Sequence, residues 1–132
     1  MDQKIIFVTI LTWFIFMVFA IINAIVRNIL YKPIIGEIRA HQLSTIVFMI
    51  IILLITYLVF YLTKIKPSTN DAFIIGALWL IFTICFEFIA GYYLFSNSWE
   101  KLIADYNILK GRIWSFVLLT MFLSPYLTRK LL

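Results

Sequence analysis

Glu87 is a single carboxylate within an apolar segment, residues 72–95, that is long enough to cross a bilayer. An ionised carboxylate at that depth is costly unless it is paired, hydrated or protonated, so Glu87 is a candidate functional residue. An embedded acid can exchange a proton or bind a cation. It can also form a buried ion pair that fixes helix register without doing chemistry.

The residues at helical spacing around Glu87 are small or polar, which predicts that this face of the helix meets protein or water rather than lipid. They are Gly76, Trp79, Thr83, Ala90 and Gly91. Glu87 lies about eight residues before the end of the segment, which is roughly 12 Å at 1.5 Å per residue. The arginines expected on that side of the membrane, and therefore the predicted partners of Glu87, are Arg27, Arg39 and Arg112.

The first apolar segment carries a second stripe at helical spacing, which becomes more polar toward the same side. Its members are Thr9, Thr12, Phe16, Ala20, Asn23 and Arg27. The two stripes together predict a polar cluster in one half of the membrane.

Glu37 and His41 are four residues apart, so on a helix they share a face, with Gln42 beside them. Together with Glu87 and Asp105 they offer carboxylate and imidazole ligands for a divalent metal. A lone histidine is more often an interfacial hydrogen-bonding residue, and we predict neither a bound metal nor a cofactor. Proton exchange by Glu87 alone is the other alternative, since an embedded carboxyl group can carry a proton.

The composition excludes several classes of protein. Of 132 residues, 64% are hydrophobic and 13% are charged, which predicts an integral membrane protein. Cys85 is the only cysteine, which excludes an intramolecular disulfide. The basic residues lie at the ends of apolar segments, which suits lipid headgroups better than nucleic acid. The chain contains no phosphate-binding loop and no hydrolase or metalloprotease motif, so an enzyme has no positive signature.

Four membrane spans are predicted, at residues 5–26, 43–63, 72–95 and 113–128, forming a single all-α domain over residues 1–132. A short amphipathic helix over residues 97–110 is predicted to lie in the interface before the last span. Residues 27–42, with Pro33 and Gly36, are predicted to form an interfacial or partly re-entrant connection. Pro125 is predicted to kink or end the last span.

Four spans place both termini on one side of the membrane, but the basic residues do not decide which side. Five lie on the terminal side and six on the other: Lys4, Lys64, Lys66, Arg129 and Lys130, against Arg27, Lys32, Arg39, Lys101, Lys110 and Arg112. We expect cytoplasmic termini in the inner membrane. Dual insertion as an antiparallel homodimer is the alternative.

Two blocks of the sequence stand out. The first is residues 36–42, and the second runs from Phe86-Glu87-Phe88 through Gly91, Ser98-Trp99 and residues 104–107 to residues 111–114. Together they resemble a family of uncharacterised small four-span bacterial inner-membrane proteins. The resemblance covers roughly residues 36–118 and implies a fold but no assigned activity. The motif positions are Glu37, His41, Gln42, Glu87, Trp99, Asp105, Asn107, Gly111 and Arg112.

Three functions are compatible with these features. The first is a small ion- or proton-coupled transporter or channel subunit, homo-oligomeric because four spans rarely enclose a full pathway. The second is an assembly protein that docks on a larger membrane complex or on anionic lipid. The third is an interfacial metal-dependent enzyme acting on lipid headgroups through Glu37, His41 and Asp105.

Overall fold

A computed structural model describes residues 2–90, 92 and 115–132, and every element in these residues is helical. The long helices are α1 (Gln3–Val26), α3 (Glu37–Thr63), α4 (Thr69–Ile89) and α5 (Ser115–Leu131). A π-helical turn, Arg27–Tyr31, and a single helical turn, α2 (Lys32–Ile35), connect α1 to α3. The predicted interfacial helix at 97–110 lies outside the described residues.

Local signals explain several helix ends. The Asp2 carboxylate accepts a hydrogen bond from the Lys4 N–H at the start of α1, and the Ser68 hydroxyl accepts one from the Asp71 N–H at the start of α4. Lys64 ends α3 in the left-handed conformation, with φ of 58°. Helices α1, α3, α4 and α5 overlap the four predicted segments. The predicted bounds at residues 95 and 113 lie outside the described residues.

Residues 27–42 are helical except at Gly36, and their interfacial or partly re-entrant placement stays a prediction. The chain stays helical through Ile35, and α3 begins at Glu37, so the non-helical connection is Gly36 alone. Gly36 has φ of 87° and ψ of 170°, a conformation essentially confined to glycine. The π-helical turn before Pro33 widens the helix where a proline removes a backbone donor and crowds the preceding turn.

Pro125 does not end the last helix, which continues to Leu131. A proline at this position leaves the carbonyl of Met121 without its usual N–H donor. The Ser124 hydroxyl donates to that carbonyl at 3.1 Å, and its oxygen lies 3.3 Å from the Thr56 hydroxyl of α3. A side chain therefore replaces the lost backbone bond and links two helices at the same point.

Side-chain contacts fix the directions of the helices. Trp79 Nε1 donates to the Thr9 carbonyl at 2.9 Å and Trp13 Nε1 to the Thr83 hydroxyl at 3.1 Å, so α1 and α4 run parallel. Helix α5 packs between α3, to which it is parallel, and α4, to which it is antiparallel. The prediction that small residues allow close approach is confirmed at Gly76, where an added Cβ would overlap the Phe122 carbonyl oxygen.

Large aromatic side chains fill the centre of the bundle. Trp79 packs edge-on against Phe16, with ring centroids 4.9 Å apart, and lies 6.4 Å from Phe60. All three side chains are fully buried, and they are called the aromatic layer below. Because α1, α3 and α4 each contribute one ring, this layer joins three of the long helices through buried ring contacts.

The outer surface is apolar, whereas buried positions include many hydroxyl groups. Exposed side chains such as Phe7, Leu62 and Ile89 face outward, while Thr12, Thr45 and Thr56 are fully buried. Each of these three threonines donates to the carbonyl four residues earlier in its own helix. Three stretches of the chain, Gln3–Ile35, Glu37–Thr63 and Thr69–Ile89, are long and apolar enough to span a membrane.

Candidate functional site

Helix α4 positions Glu87 one turn beyond Thr83 on the inward-facing side of the helix. The predicted stripe is confirmed for the described positions Gly76, Trp79, Thr83 and Ala90, which are all buried. Glu87 itself is half-buried. Gly91, the last member of the predicted stripe, lies outside the described residues.

A chain of hydrogen bonds crosses three helices one turn below Glu87. The Trp13 indole N–H of α1 donates to the Thr83 hydroxyl, which in turn donates to the Met121 sulfur of α5 at 3.1 Å. Trp13 also packs edge-on against Phe86, with centroids 5.9 Å apart. These contacts fix the part of α4 that carries Glu87 against α1 and α5.

A second polar junction forms where α1 ends and α3 begins. The Asn23 side-chain amide donates to the Ser44 carbonyl at 3.0 Å, and both residues are buried. The Ser44 and Thr45 hydroxyls donate to the His41 carbonyl at 3.1 and 2.7 Å, and the Thr45 hydroxyl lies 3.5 Å from His41 Nδ1. The stripe predicted for the first span is confirmed at Thr9, Thr12, Phe16 and Asn23, all of which are buried.

The charged residues near this junction form a rim at the end of the bundle. Arg27 is half-buried in the π-helical turn, and Glu37 and Arg39 are exposed on the first turn of α3. His41 and Gln42 are half-buried one turn further into the bundle. Glu37 and His41 both lie on α3, four residues apart, which is the condition for the shared face predicted above.

Glu87 lies deeper than this rim. Both indole hydrogen bonds join residues 70 positions apart, which places Glu87 level with Met17 of α1. Arg27 lies ten residues further along the helix, an axial distance of about 15 Å. The π-helical turn that carries Arg27 contacts α3, and the predicted pairing of Glu87 with an arginine stays a prediction.

Three predicted site residues, Asp105, Asn107 and Arg112, lie outside the described residues. Among the residues that are described, no group of three or more His, Cys, Asp or Glu side chains is placed to hold a metal ion. The metal hypothesis rests partly on Asp105, so it stays an untested prediction.

Sequence reasoning missed the roles of Trp13 and Met121. Trp13 and Trp79 lie near the middle of their helices, not at the membrane interface where tryptophan is usually enriched. A buried indole N–H needs an acceptor, so a mid-span tryptophan is the sequence signal for an interhelical hydrogen bond. The pairing with Met121 has no comparable local signal.

Comparisons with protein-family models, with curated proteins and with solved structures find no match to this chain. The resemblance to small four-span inner-membrane proteins therefore stays a prediction. Any function must be argued from the site itself.

Proposed function

We propose that this chain is a four-span protein of the inner membrane in which α1, α3, α4 and α5 all cross the bilayer. The apolar outer surface and the buried hydroxyl groups support this placement. Helix α5 has 17 described residues, or about 26 Å, which approaches the roughly 30 Å thickness of a hydrocarbon core.

Within that membrane protein, Glu87 is the exchange group of a small ion- or proton-coupled transporter or channel subunit. The observation that carries this proposal is the half-buried position of Glu87 on the inward-facing side of α4, beside the Trp13–Thr83–Met121 hydrogen bonds. Placing an ionised carboxylate within a membrane costs free energy, and binding a proton or cation there is a function that explains its presence.

The aromatic layer makes this site one-sided. Trp79 lies eight residues before Glu87 on α4, a distance of about 12 Å, and it packs against the buried rings of Phe16 and Phe60. An ion would reach Glu87 from the end of the bundle that carries Arg27 and Glu37. Passage to the other side requires movement of the helices or a second copy of the chain, so a homo-oligomer is part of the proposal.

A fixed assembly scaffold is the second candidate. Within the described residues, every buried side-chain nitrogen and oxygen atom has a hydrogen-bond partner. A fully satisfied polar interior favours one rigid arrangement of helices, which suits a docking partner better than a moving carrier. A flux measurement separates the two candidates, because a scaffold conducts nothing.

Glu87→Gln should reduce proton or monovalent-cation flux into liposomes by about tenfold or more, because glutamine has a similar shape but can neither ionise nor exchange a proton. The purified protein is reconstituted, and flux is followed with an internal pH dye and with cation-loaded vesicles.

Asp71→Asn is the matched control for this experiment. Asp71 lies in the first turn of α4, at the opposite end of the helix from Glu87, and only its backbone N–H takes part in the Ser68 cap. This variant should retain the flux of the parent. Equal flux in Glu87→Gln and the parent, or no flux above empty liposomes in any variant, would remove the transport proposal.

A further inference from the structure

A groove of about 280 Å³ lies at the end of the bundle opposite the Arg27 rim, where α3 ends and α5 ends. It is called the Lys64 groove below. Its lining combines aromatic, basic and aliphatic side chains: Tyr57, Phe60, Tyr61, Lys64, Lys66 and Leu131 line it, together with two neighbours.

The loop that carries the two lysines is held in place. Ile65 is 5% exposed and packs into the hydrophobic core, so the residues on either side of it, Lys64 and Lys66, are both directed to the surface. Arg129 Nε donates to the Pro67 carbonyl at 2.9 Å, which fastens the loop to α5. The lysine positions are thus set by the fold rather than by a free loop.

The walls of the groove are suited to an acyl chain and its headgroup. Tyr57 and Tyr61 stack with centroids 6.0 Å apart, and Tyr61 and Leu131 are 61% and 73% exposed. Tyrosine at a helix end is typical of the membrane interface, where its ring contacts lipid and its hydroxyl contacts headgroups.

The charge at this end of the bundle is complementary to an anion. Its described charged side chains are five basic and two acidic: Lys4, Lys64, Lys66, Arg129 and Lys130, against Asp2 and Asp71. Arg129 is bonded to the Pro67 carbonyl, and the Lys130 ammonium lies 4.6 Å from the Tyr126 ring centroid. Lys64 and Lys66 are the cations that line the groove itself.

From this arrangement we propose that the Lys64 groove binds the phosphate headgroup of an anionic phospholipid, with an acyl chain along Tyr61 and Leu131. The proposal rests on the membrane placement given above but not on transport by Glu87. A lipid is favoured over a free anion because the basic groups adjoin exposed apolar and aromatic surface at a helix end, where headgroups lie.

The test is native mass spectrometry of the purified full-length protein with added phosphatidylglycerol or phosphatidylcholine. Phosphatidylglycerol should bind at least about tenfold more tightly than phosphatidylcholine, because each lysine near an anionic lipid raises the affinity roughly fivefold. The variant Lys64→Asn with Lys66→Gln should lose this preference. Asparagine is chosen at position 64 because it tolerates the left-handed backbone conformation found there.

Lys32→Gln removes an exposed lysine at the other end of the bundle and should leave the preference intact. The single variant Lys66→Gln, away from the left-handed position, should show a partial loss. Equal binding of the two lipids, retention of the preference in the double variant, or complete displacement by millimolar inorganic phosphate would each overturn a lipid site. Glu87→Gln should bind lipid like the parent, so failure of the transport proposal is distinguishable from failure of this one.

Discussion

Trp79→Ala should lower the free energy of unfolding by about 3–5 kcal/mol, the range for removing a large buried aromatic side chain. Trp79 is 0% exposed and contacts Phe16 and Phe60 from two other helices. Its indole N–H also donates to the Thr9 carbonyl. Alanine would leave a cavity at the centre of the aromatic layer, and lipid cannot fill it from outside.

Two control variants separate the loss of the hydrogen bond from the loss of a buried ring. Trp79→Phe keeps a ring in the layer and loses the hydrogen bond, which should cost about 1 kcal/mol. Phe7→Ala removes a ring that is 66% exposed on the outer surface, and should change stability by less than about 1 kcal/mol. The measurement is reversible unfolding in mixed micelles, followed by circular dichroism. Similar losses for Trp79→Ala and Phe7→Ala would show that the aromatic layer does not hold the bundle together.

Gly76→Ala should destabilise the protein by about 3 kcal/mol or more, although alanine favours a helix by about 1 kcal/mol over glycine. The added Cβ would overlap the carbonyl oxygen of Phe122 and lie 2.9 Å from its carbonyl carbon. Both atoms belong to the backbone, so no rotamer change relieves the clash. The helices α4 and α5 would have to separate by about an ångström, which loosens their whole contact.

The backbone origin of this clash provides a specific control. Trimming the side chain with Phe122→Ala should fail to rescue Gly76→Ala, because the carbonyl stays in place. Gly36→Ala tests a different cost: nothing lies within 4 Å of its added Cβ, and the expected loss of about 1–3 kcal/mol comes from backbone strain alone. Stabilisation by Gly76→Ala, measured in the same micelles, would contradict the close packing of α4 on α5.

The long apolar helices and their inward-facing stripes were predictable because they depend on local patterns. Apolar length and helical spacing identified α1 and α4, and the same spacing placed Thr9, Thr12 and Thr83 inside. Other features depended on the backbone and on distant partners. A π-helical turn precedes Pro33, and the last helix does not end at Pro125 because the Ser124 hydroxyl bonds to the Met121 carbonyl.

In the candidate site, too, local patterns were predictable and long-range contacts were not. Helical spacing around Glu87 predicted an inward-facing carboxylate, and the described stripe is buried as expected. The level of Arg27 relative to Glu87 follows from the parallel pairing of α1 with α4, which two indole hydrogen bonds establish. Such pairing joins residues 70 positions apart, so no local pattern reveals it.

Thiol labelling tests the central claim, a site at Glu87 that is open to one side of the membrane and closed by the aromatic layer. Cys85 is the only cysteine, so Cys85→Ser gives a background without thiols. In that background, Glu87→Cys should react with a membrane-impermeant thiol reagent from one side only. Ile75→Cys, on the same helix but beyond Trp79 and fully buried, should react from neither side. Labelling of Glu87→Cys from both sides or from neither, or labelling of Ile75→Cys, would contradict this account.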